Sequence, residues 1–335
     1  MKRILIILTT LLITFTLSIT GCAKQSGEDT NQNNQPVKVT LMLDWTPNTN
    51  HSGLFVALEK DYFKAQGLDV SIVNPSTQGT LEQMVATGNV EFGISAQEQV
   101  TTARLSGLPL VSLAAVIQHN TSGFASLQQK NIQTARDFEN KTYGGWGLPS
   151  ETAILSALMK KENADFSKLK MINIGEADQL ASLKENIDLT WIFYGWTGIQ
   201  AEVRGQDLNM LWLKDIDPAL DYYTPVIVTN EKMITENPNV VKKLMTAISA
   251  GYDYASQNPE EAAEILIKHA PESDPEMIKK SQAWLSPQYK ADASRWGEQK
   301  ASVWENYSQW LYDNKLTENK MDASKAFTNE FLPKK

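Results

Sequence analysis

The sequence predicts an α/β protein made of two blocks, each a mostly parallel sheet with flanking helices, followed by a helical C-terminal part. Apolar runs of strand length alternate with helical patterns from residue 37 to about residue 117, and the same alternation resumes from about 124 to 212. After one more short strand at 226–228, apolar residues recur at helical spacing to the end. Val241, Leu244, Met245, Ile248 and Tyr252 share one face there. The 335 residues allow two domains at roughly 100–200 residues each. A chain of this length needs no disulfide or metal staple to bury a core.

Taken in order, residues 37–43 form a buried strand ending at Asp44-Trp45. A loop over 46–50 leads to a helix over about 52–66, stopped by Gly67. Residues 68–73 are a strand, and Thr80-Leu-Glu-Gln83 has the spacing of a capping box for a helix that stops at Gly88. A strand over 90–94, a helix over 97–106 and a strand over 110–117 complete the first block. Strands near Thr142, Met171, Leu189 and Leu211 mark the second. Asn258-Pro-Glu-Glu261 opens a later helix, with a cap, proline at the first position and acids at the positive dipole end.

Composition narrows the function. Basic and acidic residues number 31 and 39, a net charge of −8, which argues against a nucleic-acid binder that relies on phosphate contacts. A single cysteine excludes disulfides within the chain and multi-cysteine metal sites, and three scattered histidines offer no metal centre. No Ser/His/Asp order, acid pair or metal-ligand spacing marks a catalytic site. No cofactor is called for.

Residues 1–21 have the layout of an export signal: Lys2 and Arg3, an uncharged and mostly apolar run over 4–19, then Thr20-Gly21 before Cys22. Ile19-Thr-Gly-Cys22 resembles the bacterial lipobox, so Cys22 is expected to carry lipid and become the mature N-terminus. A plain signal peptide with an incidental cysteine is the alternative. Residues 23–35 contain no large apolar side chain and read as a tether, spanning roughly 20 Å if it behaves as a flexible linker. The folded body is thus expected at the extracytoplasmic face of a bacterial cell membrane.

Ligands of open α/β sheets bind beyond the carboxyl ends of strands, and five such segments carry polar or aromatic residues. Asp44-Trp45 with Asn48 and His51 offers a carboxylate and a flat ring, or else a helix cap with a structural tryptophan. Glu98 follows Ser95, which also reads as a helix cap. Gln118 to Gly123 is either a polar site or a crossover. Tyr143-Gly-Gly-Trp146 with Ser150 and Glu151 combines close backbone approach with a helix start. In the strand read through Trp191–Trp196, period two places Tyr194 and Trp196 on one face, free to meet a ligand near the strand's end. Tyr222 and Tyr223 read as hinge packing, and Trp284, Trp296, Trp304 and Trp310 as core. None of the five segments contains Lys or Arg, which suits a flat, neutral or weakly basic heterocycle with amino groups better than an anion.

Leu43-Asp-Trp-Thr-Pro-Asn-Thr-Asn-His51, Gln118-His-Asn-Thr-Ser-Gly-Phe-Ala-Ser126, Tyr143-Gly-Gly-Trp-Gly147, Trp191-Ile-Phe-Tyr-Gly-Trp196, Asp221-Tyr-Tyr-Thr-Pro225 and Phe327-Thr-Asn-Glu-Phe-Leu-Pro333 together carry a resemblance. From Leu43 to about Pro333 the chain resembles the extracytoplasmic binding proteins of ABC importers for thiamine pyrimidine precursors. The resemblance implies a bilobal, type II periplasmic-binding-protein fold, with lobes over 37–124 plus 225–335 and over 125–224 joined by two crossovers. It implies a monomer that holds N-formyl-4-amino-5-aminomethyl-2-methylpyrimidine and passes it to a permease and its ATPase. Asp44, Trp45, Tyr194 and Trp196 match the motif positions that would hold the ring and its amine, and Glu98 and Glu151 are further candidates. Position 96 is alanine where such proteins often have tyrosine, which would enlarge the pocket or shift the preferred ligand. The related pyrimidine synthases use a cysteine-rich iron motif, whereas this chain has Cys22 alone. Riboflavin, thiamine and a sulfonate are the alternative cargoes.

Overall fold

A computed structural model describes residues 35–75, 79–175 and 177–334. The export segment, Cys22 and the tether to residue 34 lie outside the described residues. In chain order the strands are β1 (Val37–Met42), β2 (Leu68–Val73), β3 (Phe92–Ser95), β4 (Leu110–Ala115), β5 (Ser122–Leu127), β6 (Thr142–Gly145), β7 (Lys170–Asn173), β8 (Leu189–Phe193), β9 (Leu208–Trp212) and β10 (Val226–Asn230). They form two five-stranded sheets, ordered β2-β1-β3-β10-β4 and β7-β6-β8-β5-β9.

The two sheets share one topology. In the first, β1 is parallel to β2 and β3, and β10 runs antiparallel to both β3 and β4. In the second, β6 is parallel to β7 and β8, and β5 runs antiparallel to β8 and β9. The expectation of mostly parallel sheets therefore holds with one reversed strand in each. In both cases the reversed strand is the one fed directly by a crossover from the other sheet. Every residue of β4 and β10 is buried, so helices or loops cover both faces of these strands, and their sequences are mostly apolar rather than alternating.

Several boundaries differ from expectation for local reasons. The helix expected over 52–66 is two helices, Ser52–Glu59 and Tyr62–Ala65, because Asp61 adopts the left-handed conformation at φ 57°. The strand read through Trp196 ends at Phe193, and Tyr194–Gly198 is a π-helical turn leading into the helix Ile199–Val203. A Cβ at Gly198 would stand 2.4 Å from the Tyr194 ring, so the turn needs glycine there. β5 starts at Ser122, ahead of the expected lobe boundary at 125.

The first sheet packs against the helices Pro238–Gln257, Pro259–His269 and Pro275–Leu285, and the expected face of Val241, Leu244, Met245, Ile248 and Tyr252 is buried against it. The second sheet has its own core, built on Phe124, Tyr143, Leu155 and Leu189. The helix Ala301–Asp313 serves both. Its Trp304 lies with Met42 and Val226 of the first sheet, while Tyr307, Trp310 and Leu311 join the core of the second. Of the tail tryptophans, Trp296, Trp304 and Trp310 are buried as expected, and Trp284 is partly buried at the edge of the first core.

The two crossovers are tied to each other. The Val116 N–H donates to the Pro225 carbonyl at 2.9 Å, the Asn120 N–H donates to Asp221 Oδ1 at 2.8 Å, and His119 Nδ1 lies 2.7 Å from Asp221 Oδ2. The polar density of 118–123 is thus explained by the crossovers. Among the described residues no helix is long and apolar enough to cross a membrane.

Candidate functional site

A cavity of about 430 Å³ lies between the two sheets, where the carboxyl ends of β1, β6, β7 and β8 converge. The first sheet contributes Asp44, Trp45, Asn48 and Asn50, and the crossover contributes Thr224 and Pro225. The second sheet contributes Trp146, Phe193, Trp196, Thr197 and Gln200, together with Gly175, Ala177 and Asp178 from the loop after β7 and Gln179 at the start of the helix that follows.

The loop after β1 is held from behind. Asn48 caps the short helical turn that follows, its Oδ1 accepting from the Asn50 N–H at 2.9 Å and its Nδ2 donating to the Thr46 carbonyl. Tyr252 and Tyr289, both from the C-terminal part, donate their hydroxyls to the Asn50 and Thr49 carbonyls at 2.6 Å. These bonds fix the loop backbone and leave Trp45 45% exposed over the cavity. Opposite stands an aromatic wall. Trp146 packs 6.4 Å from Phe193 and 6.4 Å from Trp191, which is buried behind it.

Among the described residues, two carboxylates reach the cavity. Asp44 Oδ1 lies 2.8 Å from His51 Nε2. Asp178 caps the helix Gln179–Glu185 and pairs with Arg204 at 2.6 Å. Burial alone would raise the Asp178 carboxyl, but Arg204 and the N–H groups of Ala181 and Leu180 hold it below the usual carboxylate range. Gln179 is fixed by bonds from its Nε2 to Thr190 Oγ1 and the Trp191 carbonyl. None of the described lining residues is Lys, Arg or His. Among the described residues no cluster of His, Cys, Asp and Glu could hold a metal ion.

Of the expected site residues, the structure brings together Asp44, Trp45, Asn48, Trp146 and Trp196 on the cavity. Four others do not line it. His51 is fully buried beneath the loop, between Asp44 and the Asn48 backbone. Glu151 is buried under its own turn, accepting from the Tyr143 hydroxyl and from the Trp146 and Leu148 N–H groups, so it shapes the loop that carries Trp146. Tyr194 turns away because the π-helical turn ends the strand periodicity; its ring packs 5.1 Å from Trp212 and 5.2 Å from Trp284, and its hydroxyl donates to Glu202. Glu98 sits beside Tyr222 and Tyr307 and away from the cavity, with its Oε2 buried and unpartnered. Ala96 is not on the cavity either. The residues that sequence reasoning missed are chiefly Gly175, Ala177, Asp178 and Gln179. Their signal was the same as for the other segments: a strand end followed by a capping Asp and an apolar helix.

With the fold and site in place, comparisons with known proteins add the relationship. The chain is 27% identical to the formylaminopyrimidine-binding protein of Halalkalibacterium halodurans over 87% of this chain and 89% of that one. It is 22% identical to the 4-amino-5-hydroxymethyl-2-methylpyrimidine phosphate synthase of Legionella pneumophila, covering 88% and 92%. Among solved structures, the periplasmic aliphatic sulphonate binding protein SsuA of Escherichia coli superposes with a TM-score of 0.65 at 14% identity, over 87% of this chain and 91% of that one. That likeness shows the bilobal periplasmic-binding-protein fold. The family described as NMT1/THI5 like matches residues 48–262, more than half of the sequence, and the chain belongs to that family.

Proposed function

We propose that this chain is the extracytoplasmic solute-binding component of an ABC importer and that its cargo is the thiamine precursor N-formyl-4-amino-5-aminomethyl-2-methylpyrimidine. The observation that carries this reading is the make-up of the cavity: Trp45 on one side, Trp146, Phe193 and Trp196 on the other, and, among the described residues, two carboxylates and no basic side chain. A pyrimidine is flat enough to lie against these rings. Its exocyclic amine supplies N–H donors for Asp44 or Asp178, and its ring nitrogens accept from the amides of Asn50 or Gln200. A sulfonate would bring its charge toward Asp44 with no cation among the described lining residues, so the same geometry disfavours that cargo.

The remaining parts of the reading come from sequence and relatives. The formylaminopyrimidine-binding relative supports the cargo. The lipobox-like segment supports lipid on Cys22 and a location at the outer face of the cell membrane. Closure of the two lobes would present a permease and its ATPase with a surface that the open form lacks. A receptor is proposed over a pyrimidine synthase because the whole sequence has one cysteine, where the synthases use a cysteine-rich iron motif.

The test is tryptophan fluorescence of the protein from residue 23 onward, titrated with the formylaminopyrimidine, its hydroxymethyl analogue, thiamine and riboflavin. The expected result is a saturable change with the formyl compound at far lower concentration than with the others. A response to riboflavin or thiamine alone would replace the cargo and keep the receptor. Formation of a pyrimidine product from added vitamin B6 phosphate and iron would overturn the receptor role.

A further inference from the structure

His51 has no surface exposed, yet both of its ring nitrogens touch groups that belong to the cavity. Nδ1 lies 3.2 Å from the Asn48 backbone N–H, and Nε2 lies 2.8 Å from Asp44 Oδ1. A backbone N–H is always a donor, so Nδ1 must accept and carries no proton. The ring proton is then on Nε2 and is donated to Asp44. One ring thereby fixes the backbone at Asn48 and the rotamer of Asp44 together. It also occupies one carboxylate oxygen from the buried side, and Oδ2 has no partner among the described residues. The ring is itself held in place because His51 immediately precedes the helix Ser52–Glu59, which packs under Pro238–Gln257 through the close approach of Gly53 to Tyr252 and Gly251.

We infer that His51 is a positioning residue that sets the ligand preference of the site: by holding Asp44 Oδ1 from behind it presents Oδ2 as a fixed acceptor, so that the cavity selects a ligand with an N–H donor at that point. The inference rests on the proposed aminopyrimidine cargo for the identity of that donor. A carbonyl or another acceptor there would face the carboxylate with no proton to share, and the orientation that His51 enforces leaves Asp44 no easy way to turn aside.

The experiment uses the full chain in detergent, with His51→Leu, His51→Gln and Asp44→Asn variants. Each is titrated with the formylaminopyrimidine and with the same compound lacking the exocyclic amine. His51→Leu should weaken the amine-bearing ligand roughly tenfold, the scale of a hydrogen bond to a charged group. The amine-free compound should change by less than about twofold. Glutamine, which can accept and donate at once, should restore most of the loss. In the Asp44→Asn background the His51→Leu change should add little, because the two residues act as a unit. Equal losses for both compounds, or no loss for either, would overturn the inference. If the unsubstituted protein does not take up the aminopyrimidine, the cargo reading fails by itself. Magic-angle-spinning spectra of the [15N]histidine-labelled chain then decide the role of His51, its signals identified by their disappearance in His51→Gln. A bare Nδ1 and a protonated Nε2 are expected; the opposite tautomer or a doubly protonated ring would overturn the inference.

Discussion

Asp44 and Trp45 are neighbours in the chain but act on different parts of a ligand, the first by accepting and the second by covering a ring face. Trp45→Ala or Trp196→Ala should weaken binding by roughly 1–3 kcal/mol, the scale of a lost ring-to-base stack, as read by calorimetric titration. Unchanged affinity in both variants would place the ring elsewhere. Asp44→Asn should lower affinity while leaving the thermal unfolding temperature near that of the parent, because the carboxylate is partly exposed and its neutral amide fills the same space. Glu98 leads to a prediction of a different kind. Burial pushes its carboxyl up to about 7, with Glu82 adding to the effect and its own backbone N–H opposing it. The folded state therefore keeps a proton that the unfolded chain releases near the ordinary value of 4.5. Its contribution is fully present below that value and is lost as pH rises through about 7. Glu98→Gln should accordingly gain stability relative to the parent across this window, by an amount on the order of 3 kcal/mol. Parallel stability curves for the two proteins from pH ~5 to ~8 would show that Glu98 titrates normally.

The elements explain how short sequence signals become a rigid site. The helix Ser52–Glu59 can hold the Asp44–His51 loop because it lies unusually close to Pro238–Gln257: a Cβ at Gly251 would come within 2.0 Å of the Gly53 carbonyl, and a Cβ at Gly53 within 2.3 Å of the Tyr252 ring. Gly251→Ala should therefore cost roughly 1–3 kcal/mol of stability by overpacking, seen as a lower midpoint in urea. It should also weaken ligand binding, since Tyr252 anchors the Asn50 carbonyl. A variant as stable as the parent would mean that the helices separate freely. At this scale the sequence reading went astray at the π-helical turn. Tyr194 and Trp196 share a face only if the strand continues, and the extra turn residue sends Tyr194 toward Trp212 and Trp284 while Trp196 faces the cavity. Apolar periodicity cannot register such a turn, because it depends on Gly195 fitting against Trp284 and Leu285, distant in sequence, and on Gly198 fitting against the Tyr194 ring within the turn itself.

Across the whole molecule, the two lobes are linked by more than the crossovers. Ser281, fully buried in the helix Pro275–Leu285, donates to the Gly195 carbonyl, and its Oγ lies 2.6 Å from Thr49 Oγ1. Thr49 belongs to the loop beneath Trp45 and Asn48, and Gly195 to the turn that carries Trp196 and Thr197. One hydroxyl thus connects the two walls of the cavity. Ser281→Ala should reduce ligand affinity several-fold, matching the loss of about one to two buried hydrogen bonds, while ring contacts stay intact. Small-angle scattering should show a smaller compaction on ligand addition than for the parent. The same affinity and the same compaction would remove Ser281 from the linkage. The sequence by itself determined the order of nearly every strand and helix, the core face of the C-terminal helices and five of the residues on the cavity, because these follow from local periodicity and position after a strand. Tertiary structure alone decided which polar residues stand in front of the ligand and which stand behind, as Asp44 and His51 do. The loop and the turn that carry the site are set by Tyr252 at Asn50, Ser281 at Gly195 and Trp284 at Tyr194, contacts more than 80 residues apart in the chain that no local pattern encodes.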